Sequence, residues 1–175
     1  MEKIFYTNAK RFSSSEQAIK EILSTHLRLP FATVEKNELG KPYLKNVGNA
    51  RLFLSVTHTA DVLFIAFSDE NVGVDAERLD RRVDYAPIVK KFPYEEQAEI
   101  ENVTAFLHHW TAKESAIKWI GGSIAHDLSK LKFVRNKLYY GEIELPAHLA
   151  FLSKDGVLLA VCSEKDFSNA QFIEI

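Results

Sequence analysis

The sequence predicts an α+β fold in which a helix packed on an antiparallel sheet occurs twice, as a pseudo-two-fold duplication. Three observations carry that expectation. The stretch EQAIKEI at 16–22 returns 98 residues later as ESAIKWI at 114–120, with five of the seven residues identical. VLFIAFSDEN, beginning at Val62, returns 95 residues later as VLLAVCSEKD, beginning at Val157. The two echoes occur in the same order, as a repeated supersecondary unit would give. Residues 1–82 then form an N-terminal lobe and 83–175 a C-terminal lobe of one unit, with a cleft between them where a functional site is expected.

The elements follow in chain order. After the apolar start KIFY, SSSEQAIKEILSTHL reads as a helix with a serine cap and Ile19, Ile22 and Leu23 on one face. LRLPFATVEKNELGKPYL reads as a mixed loop with a turn at 39–42. RLFLSV, VLFIAFS and NVGVDAE are rich in β-branched and aromatic residues and are separated by short polar turns, so a three-stranded meander is the economical reading. PIVKKFPYEEQAEIENV predicts a short helix interrupted near Pro93. TAFLHHWTAKESAIKWI predicts a longer amphipathic helix ended by Gly121 and Gly122. LKFVRNKLYY, GEIEL, HLAFLS and GVLLAVCSE read as strands, the last two joined by a turn at 154–156.

Composition narrows the function. A formal net charge of −2 excludes a generally basic nucleic-acid binder while leaving room for a local phosphate pocket. Cys162, the single cysteine, lies in an apolar run and reads as a packed core thiol. MEKIFYTNAK carries no apolar signal segment and no run reaches membrane-spanning length, so a cytoplasmic protein with no membrane partner is expected.

Chemistry concentrates in two segments. On a strand, VGVDAE sends Val72, Val74 and Ala76 one way and Gly73, Asp75 and Glu77 the other. Taken alone, the two carboxylates read equally as a solvated strand end. A third carboxylate would make a site for a hard cation, since Mg²⁺ takes oxygen ligands from carboxylates, water and substrate phosphate. Glu114 is the candidate, on a helical stripe with Trp110, Ile117 and Lys118. The competing account is a surface Glu-Lys pair at i,i+4. Adjacent histidines such as His108 and His109 project about 100° apart on a helix and have no partner at zinc-ligand spacing. Trp119 reads as packing.

GKP at 40–42, SVTHT at 55–59, VGVDAE and WTAKESAIK together resemble the 4′-phosphopantetheinyl transferases, specifically the pseudo-dimeric, surfactin-synthetase-activating type. The resemblance implies a transferase that moves 4′-phosphopantetheine from coenzyme A to a serine of an acyl or peptidyl carrier protein, releasing 3′,5′-ADP. It implies Mg²⁺ held by Asp75, Glu77 and Glu114. Glu114 is also implied as the base for the incoming serine, valuable for its placement because a carboxylate near a cation and a lysine is ordinarily ionised. Lys118 matches the lysine on the transferring phosphate; Thr57, His58 and Lys41 match contacts to coenzyme A phosphates. His58 is grouped with Glu114 and Lys118 as catalytic, and Lys113 is a weaker phosphate candidate. Thr57 and Thr59 replace the serines usual in that loop and keep the hydroxyls. The chain before Gly40 is shorter than is usual for this type, which removes the usual basic residues for the 3′-phosphate; Arg11, with Lys10, is the candidate to replace them, and a solvated terminus is the competing account. An acidic carrier would dock on Lys90 and Lys91 beside Phe92, and a monomer is expected. The alternatives are a non-catalytic module that binds coenzyme A or carrier, and an unrelated Mg²⁺ phosphohydrolase.

Overall fold

The computed structural model describes residues 2–175. Strand β1 (Lys3–Asn8) leads into α1 (Ser15–Thr25), whose first turn is capped by the Ser14 hydroxyl accepting from the Gln17 amide. The apolar face of α1, Ala18, Ile19, Ile22 and Leu23, is buried with Phe5, Ile65 and Phe67. The segment read as loop is a short hairpin of β2 (Thr33–Lys36) and β3 (Pro42–Lys45). The Asn37 side chain closes it, accepting from the amides of Leu39 and Lys41 at 3.1 and 2.9 Å. Strands of four residues with a polar turn give little periodicity, so the pattern hides them.

The expected meander forms only in part. Strands β4 (Phe53–Thr59) and β5 (Val62–Ser68) are a hairpin, but β6 (Val72–Arg78) does not pair with β5. Both edges of β5 are already taken, by β4 on one side and by β1 on the other. β6 instead pairs antiparallel with β11 (Val157–Ser163), which also pairs with β10 (His148–Lys154). The last strand, β12 (Gln171–Glu174), lies parallel to β1. The sheets are therefore β12-β1-β5-β4 and β10-β11-β6, and each half of the chain lends a strand to the other. A cut after residue 82 would part β6 from its ladder.

The inner faces of the two sheets enclose a shared core of Ile4, Phe64, Ala66, Val72, Val74, Val157, Leu159 and Val161. α1 covers the outer face of the first sheet. The outer face of the second is covered by α4 (Val103–Ile120), whose residues Ala112, Ala116, Ile117 and Trp119 pack with Cys162. Asn102 caps its start, accepting from the Ala105 amide at 2.9 Å, and Gly121 ends it at φ 74°.

This helix is not amphipathic as expected. Its other sides are covered by the sheet β7 (Leu131–Val134), β8 (Lys137–Tyr140) and β9 (Ile143–Glu144), and by segment 83–101. That segment carries two single turns, α2 (Ala86–Val89) and α3 (Tyr94–Gln97), with Pro93 at the cap of the second. A last turn, α5 (Ile124–Asp127), follows α4. Every residue from 111 to 117 of α4 is buried. No helix among the described residues is long and apolar enough to cross a membrane.

Candidate functional site

The site forms where α4 crosses β6, and a glycine allows the crossing. A Cβ on Gly73 would lie 2.0 Å from the Ser115 carbonyl oxygen and 2.5 Å from the Trp119 amide. Helix and strand therefore touch backbone to backbone, which only glycine permits. At this distance Lys118 reaches across to donate to the Val74 carbonyl and to Asp75 Oδ1, each at 2.8 Å. Strand β4 adjoins β6 from the other side through side chains. The Ser55 hydroxyl accepts from the Val74 amide at 3.0 Å, and Thr57 donates to Asp75 Oδ1 at 3.2 Å.

Strand alternation places Asp75 and Glu77 on the α4 side, opposite Val72, Val74 and Ala76 in the shared core. Asp75 and Glu114 are buried, and Glu77 is partly so. All three carboxyls titrate above their ordinary range. Burial lifts Asp75, against the opposing pull of Lys118. Burial also lifts Glu77, where Arg81 opposes and the charge of Asp75 assists. Burial first, then the charge of Asp75, pushes Glu114 up to about 7, with Lys118 opposing and Glu77 adding. Glu114 thus lies close enough to Asp75 and Glu77 to feel the charge of both.

Among the described residues, no three His, Cys, Asp or Glu side chains stand as a ready-made metal cluster. The three acids are electrostatic neighbours, with Lys118 on Asp75 and Arg81 on Glu77. The donor chemistry nevertheless fits a hard divalent cation: three carboxyl groups, two buried and one half-buried, against the two cations Lys118 and Arg81, with a partly open face at Glu77.

The other expected residues fall in distinct places. His58 is exposed and lines a cavity of about 540 Å³ with Glu77, Arg78 and Arg81. Arg11 is exposed on the turn after β1, where the Ala9 amide bonds to Asp61 in the β4–β5 turn, so it stands at the His58 end of the lobe. Lys41 donates to the Lys118 carbonyl at the end of α4, and burial lowers its pKa. It lines a second cavity, of about 460 Å³, with Tyr43, Phe53, Asn71 and Trp119, which contains none of the three acids.

Lys113 is not brought to the group. It is fully buried, pairs with Glu96 at 2.7 Å and lies 3.9 Å from the centre of the Phe92 ring. Phe92, expected beside two lysines on a docking patch, is itself buried, while Lys90 and Lys91 are exposed.

Comparison with known proteins decides the family. The profile of the 4′-phosphopantetheinyl transferase superfamily matches residues 71–162, which run from β6 through α4 into β11 and include all four of Asp75, Glu77, Glu114 and Lys118. The chain belongs to that superfamily. It is 26% identical over 185 residues to the 4′-phosphopantetheinyl transferase psf-1 of Bacillus pumilus, covering 98% of this chain and 78% of the relative. It is 30% identical over 128 residues to gsp of Aneurinibacillus migulanus, across 66% of this chain and 52% of that protein. With AcpT of Salmonella typhimurium it shares 27% over 155 residues, 84% of this chain and 75% of the relative.

Sequence reasoning leaves some parts of the site without a role. It assigns Gly73 only a direction on the strand; a glycine inside an apolar strand is the available sign of close backbone approach. Arg81 pairs with Glu77 four residues before it, and Ser55 opens the SVTHT stretch, where nothing announces its contact with Val74 across the sheets.

Proposed function

We propose that the protein is a holo-carrier-protein synthase, which transfers 4′-phosphopantetheine from coenzyme A to a serine of an acyl or peptidyl carrier protein. The observation that carries this reading is the meeting of Glu114 and Lys118 on α4 with Asp75 and Glu77 on β6, within the stretch matched to the superfamily. The echoes in the sequence and the two hairpins with similar third-strand pairing support a duplicated unit, with residues 1–82 and 83–175 as its interlocked lobes.

In this reading the serine oxygen attacks the β-phosphorus of coenzyme A. The bond from that phosphorus to the bridging oxygen breaks, and 3′,5′-ADP leaves with the electron pair. Glu114 takes the serine proton. Without a cation, burial and the neighbouring acids raise it to about 7, and its part as base rests on its placement beside the incoming hydroxyl. A bound cation would draw it lower. Asp75, Glu77 and Glu114 would hold Mg²⁺, which when bound supplies charge stabilisation for the pyrophosphate. Lys118, already extended over Asp75, is within reach of a phosphate in the same space. His58 and Arg11 at one end, with Thr57, are assigned to the phosphates of coenzyme A. Lys41 supports the end of α4 on the opposite side. The exposed charges of Lys90 and Lys91 remain available to an acidic carrier. A monomer at work in the cytoplasm fits this account.

The test is incubation with coenzyme A, Mg²⁺ and several apo-carriers, followed by intact mass. Transfer adds the phosphopantetheine mass to carrier and releases 3′,5′-ADP. Loss of coenzyme A without any change in carrier would establish a hydrolase, and no change in either would establish a binding module.

A further inference from the structure

The least explained group in the molecule is a buried charged cluster behind α4. Glu96, on the α3 turn, has no exposed surface. Its Oε2 accepts from Lys113 at 2.7 Å, and its Oε1 lies 3.0 Å from His109 Nδ1. His109 Nε2 is 3.8 Å from Glu99, and its ring meets Phe133 edge-on at 5.0 Å. Lys113 is also without exposed surface and sits over Phe92. Two carboxylates from segment 83–101 thus engage one helical turn of α4, at positions 109 and 113. Around this cluster the contact is apolar: Phe92 and Ile100 pack with Phe106 and Leu107, and Tyr85 stacks on Phe106 at 5.4 Å.

A buried ion pair is expensive to desolvate and is weak evidence for stability; apolar residues would hold the same surfaces together as well. What it does supply is register, because a misplaced helix would leave both charges buried and unpaired. Lys113 directly precedes Glu114, so the turn fixed by Glu96 is the turn that presents the carboxyl to Asp75 and Glu77. The opposite side of the helix is set by its contact with Gly73. Between these two restraints the helix has one rotation and one height.

We propose that Glu96 and Lys113 are positioning residues, whose buried pair fixes the rotation of α4 and thereby places Glu114 for transfer. The inference rests on the transferase reading above and adds to it residues that touch neither coenzyme A nor carrier.

The experiment compares wild type, Lys113→Met and the double variant Glu96→Met/Lys113→Met. For each it measures transfer kinetics, thermal unfolding and hydrogen exchange over 83–120. Lys113→Met, which takes the lysine from buried Glu96 and leaves it beside His109, should lower Tm and cut kcat at least tenfold, with KM for coenzyme A changed less than twofold. The double variant, which buries no unpaired carboxylate and leaves His109 beside Glu99, should regain the wild-type Tm. It should stay at least tenfold low in kcat, with faster exchange in 83–101. Recovery of kcat together with Tm would show a merely structural pair and overturn the proposal. A raised KM with kcat preserved would make Lys113 a phosphate contact, and also overturn it. Wild-type protein that modifies no carrier would sink the transferase reading itself, and this role for the pair with it.

Discussion

β1 with α1, and β6 with α4, occupy matching positions and carry different chemistry. Phe5 pairs with Ile65, the fourth residue of β5; Asp75 pairs with Ala160, the fourth residue of β11. By the same register Thr7 stands where Glu77 does, and Lys3 where Gly73 does. The sequence echo makes Ala170 and Phe172 the counterparts of the acids, because it follows the chain, whereas register follows the sheet. On the helices, Glu16 and Lys20 of α1 pair with each other at 2.8 Å on the surface, with side chains 46% and 57% exposed. Their echoes Glu114 and Lys118 are drawn toward β6. The same local sequence thus yields a solvated pair in one place and a site in the other. The difference lies in the strand beneath: Phe5 joins the apolar contact with α1, while Gly73 admits the backbone of α4 and Asp75 engages Lys118.

The largest expected effect separates the two helices outright. Glu114→Gln should reduce transfer by about 10² to 10⁴-fold, the usual range for a general base, with circular dichroism unchanged. Glu16→Gln should leave the rate at wild type. Equal rates for Glu114→Gln and wild type would remove the distinction.

The strand positions come next. Gly73→Ala should push α4 away from β6 and cost about 1–3 kcal/mol in denaturant unfolding, as overpacking does. Lys3→Ala at the matching position should stay within about 0.5 kcal/mol. If Gly73→Ala were equally silent, the backbone contact would not be what sets the site apart.

A pH titration sharpens the same contrast. Glu114 rises from the ordinary 4.5 to about 7, so the native state holds a proton that the unfolded chain releases between those values. The associated stability is fully present below 4.5 and is lost as pH rises through about 7. The size is roughly 3 kcal/mol, because each tenfold change in proton affinity is worth about 1.4 kcal/mol. With chelator present, unfolding free energy should therefore fall between these limits for wild type and much less for Glu114→Gln. Added Mg²⁺ should restore wild type at the upper end, as ligand linkage requires, and not the variant. The smallest effect belongs to the surface. Lys20→Ala should change stability by no more than about 0.5 kcal/mol, since an exposed i,i+4 pair contributes little.

Much of this was legible before any coordinates. Ser14, the Gly121 stop and the turn at Asp155 and Gly156, with φ 50° and 76°, act over a few residues, and the sequence marks each. The acids on one face of β6 followed from strand alternation. Where the reading went astray, distant partners were responsible. β6 left the meander because β1 had taken the edge of β5, and Phe92 turned inward beneath Lys113. Lys113 itself looked like a phosphate ligand because it adjoins Glu114, although neighbours in a helix point in different directions.

The sequence by itself determined the two long helices, most of the strands, the serine and glycine caps and the residue types able to hold a cation and move a proton. These depend on propensity, alternation and spacing, which act within a turn or a strand. Only the tertiary structure decided which strand β6 would join, that Glu96 would claim Lys113, and that burial would lift Glu114 toward neutrality. Those outcomes depend on which distant surfaces exclude water from the same place, and no local pattern records that.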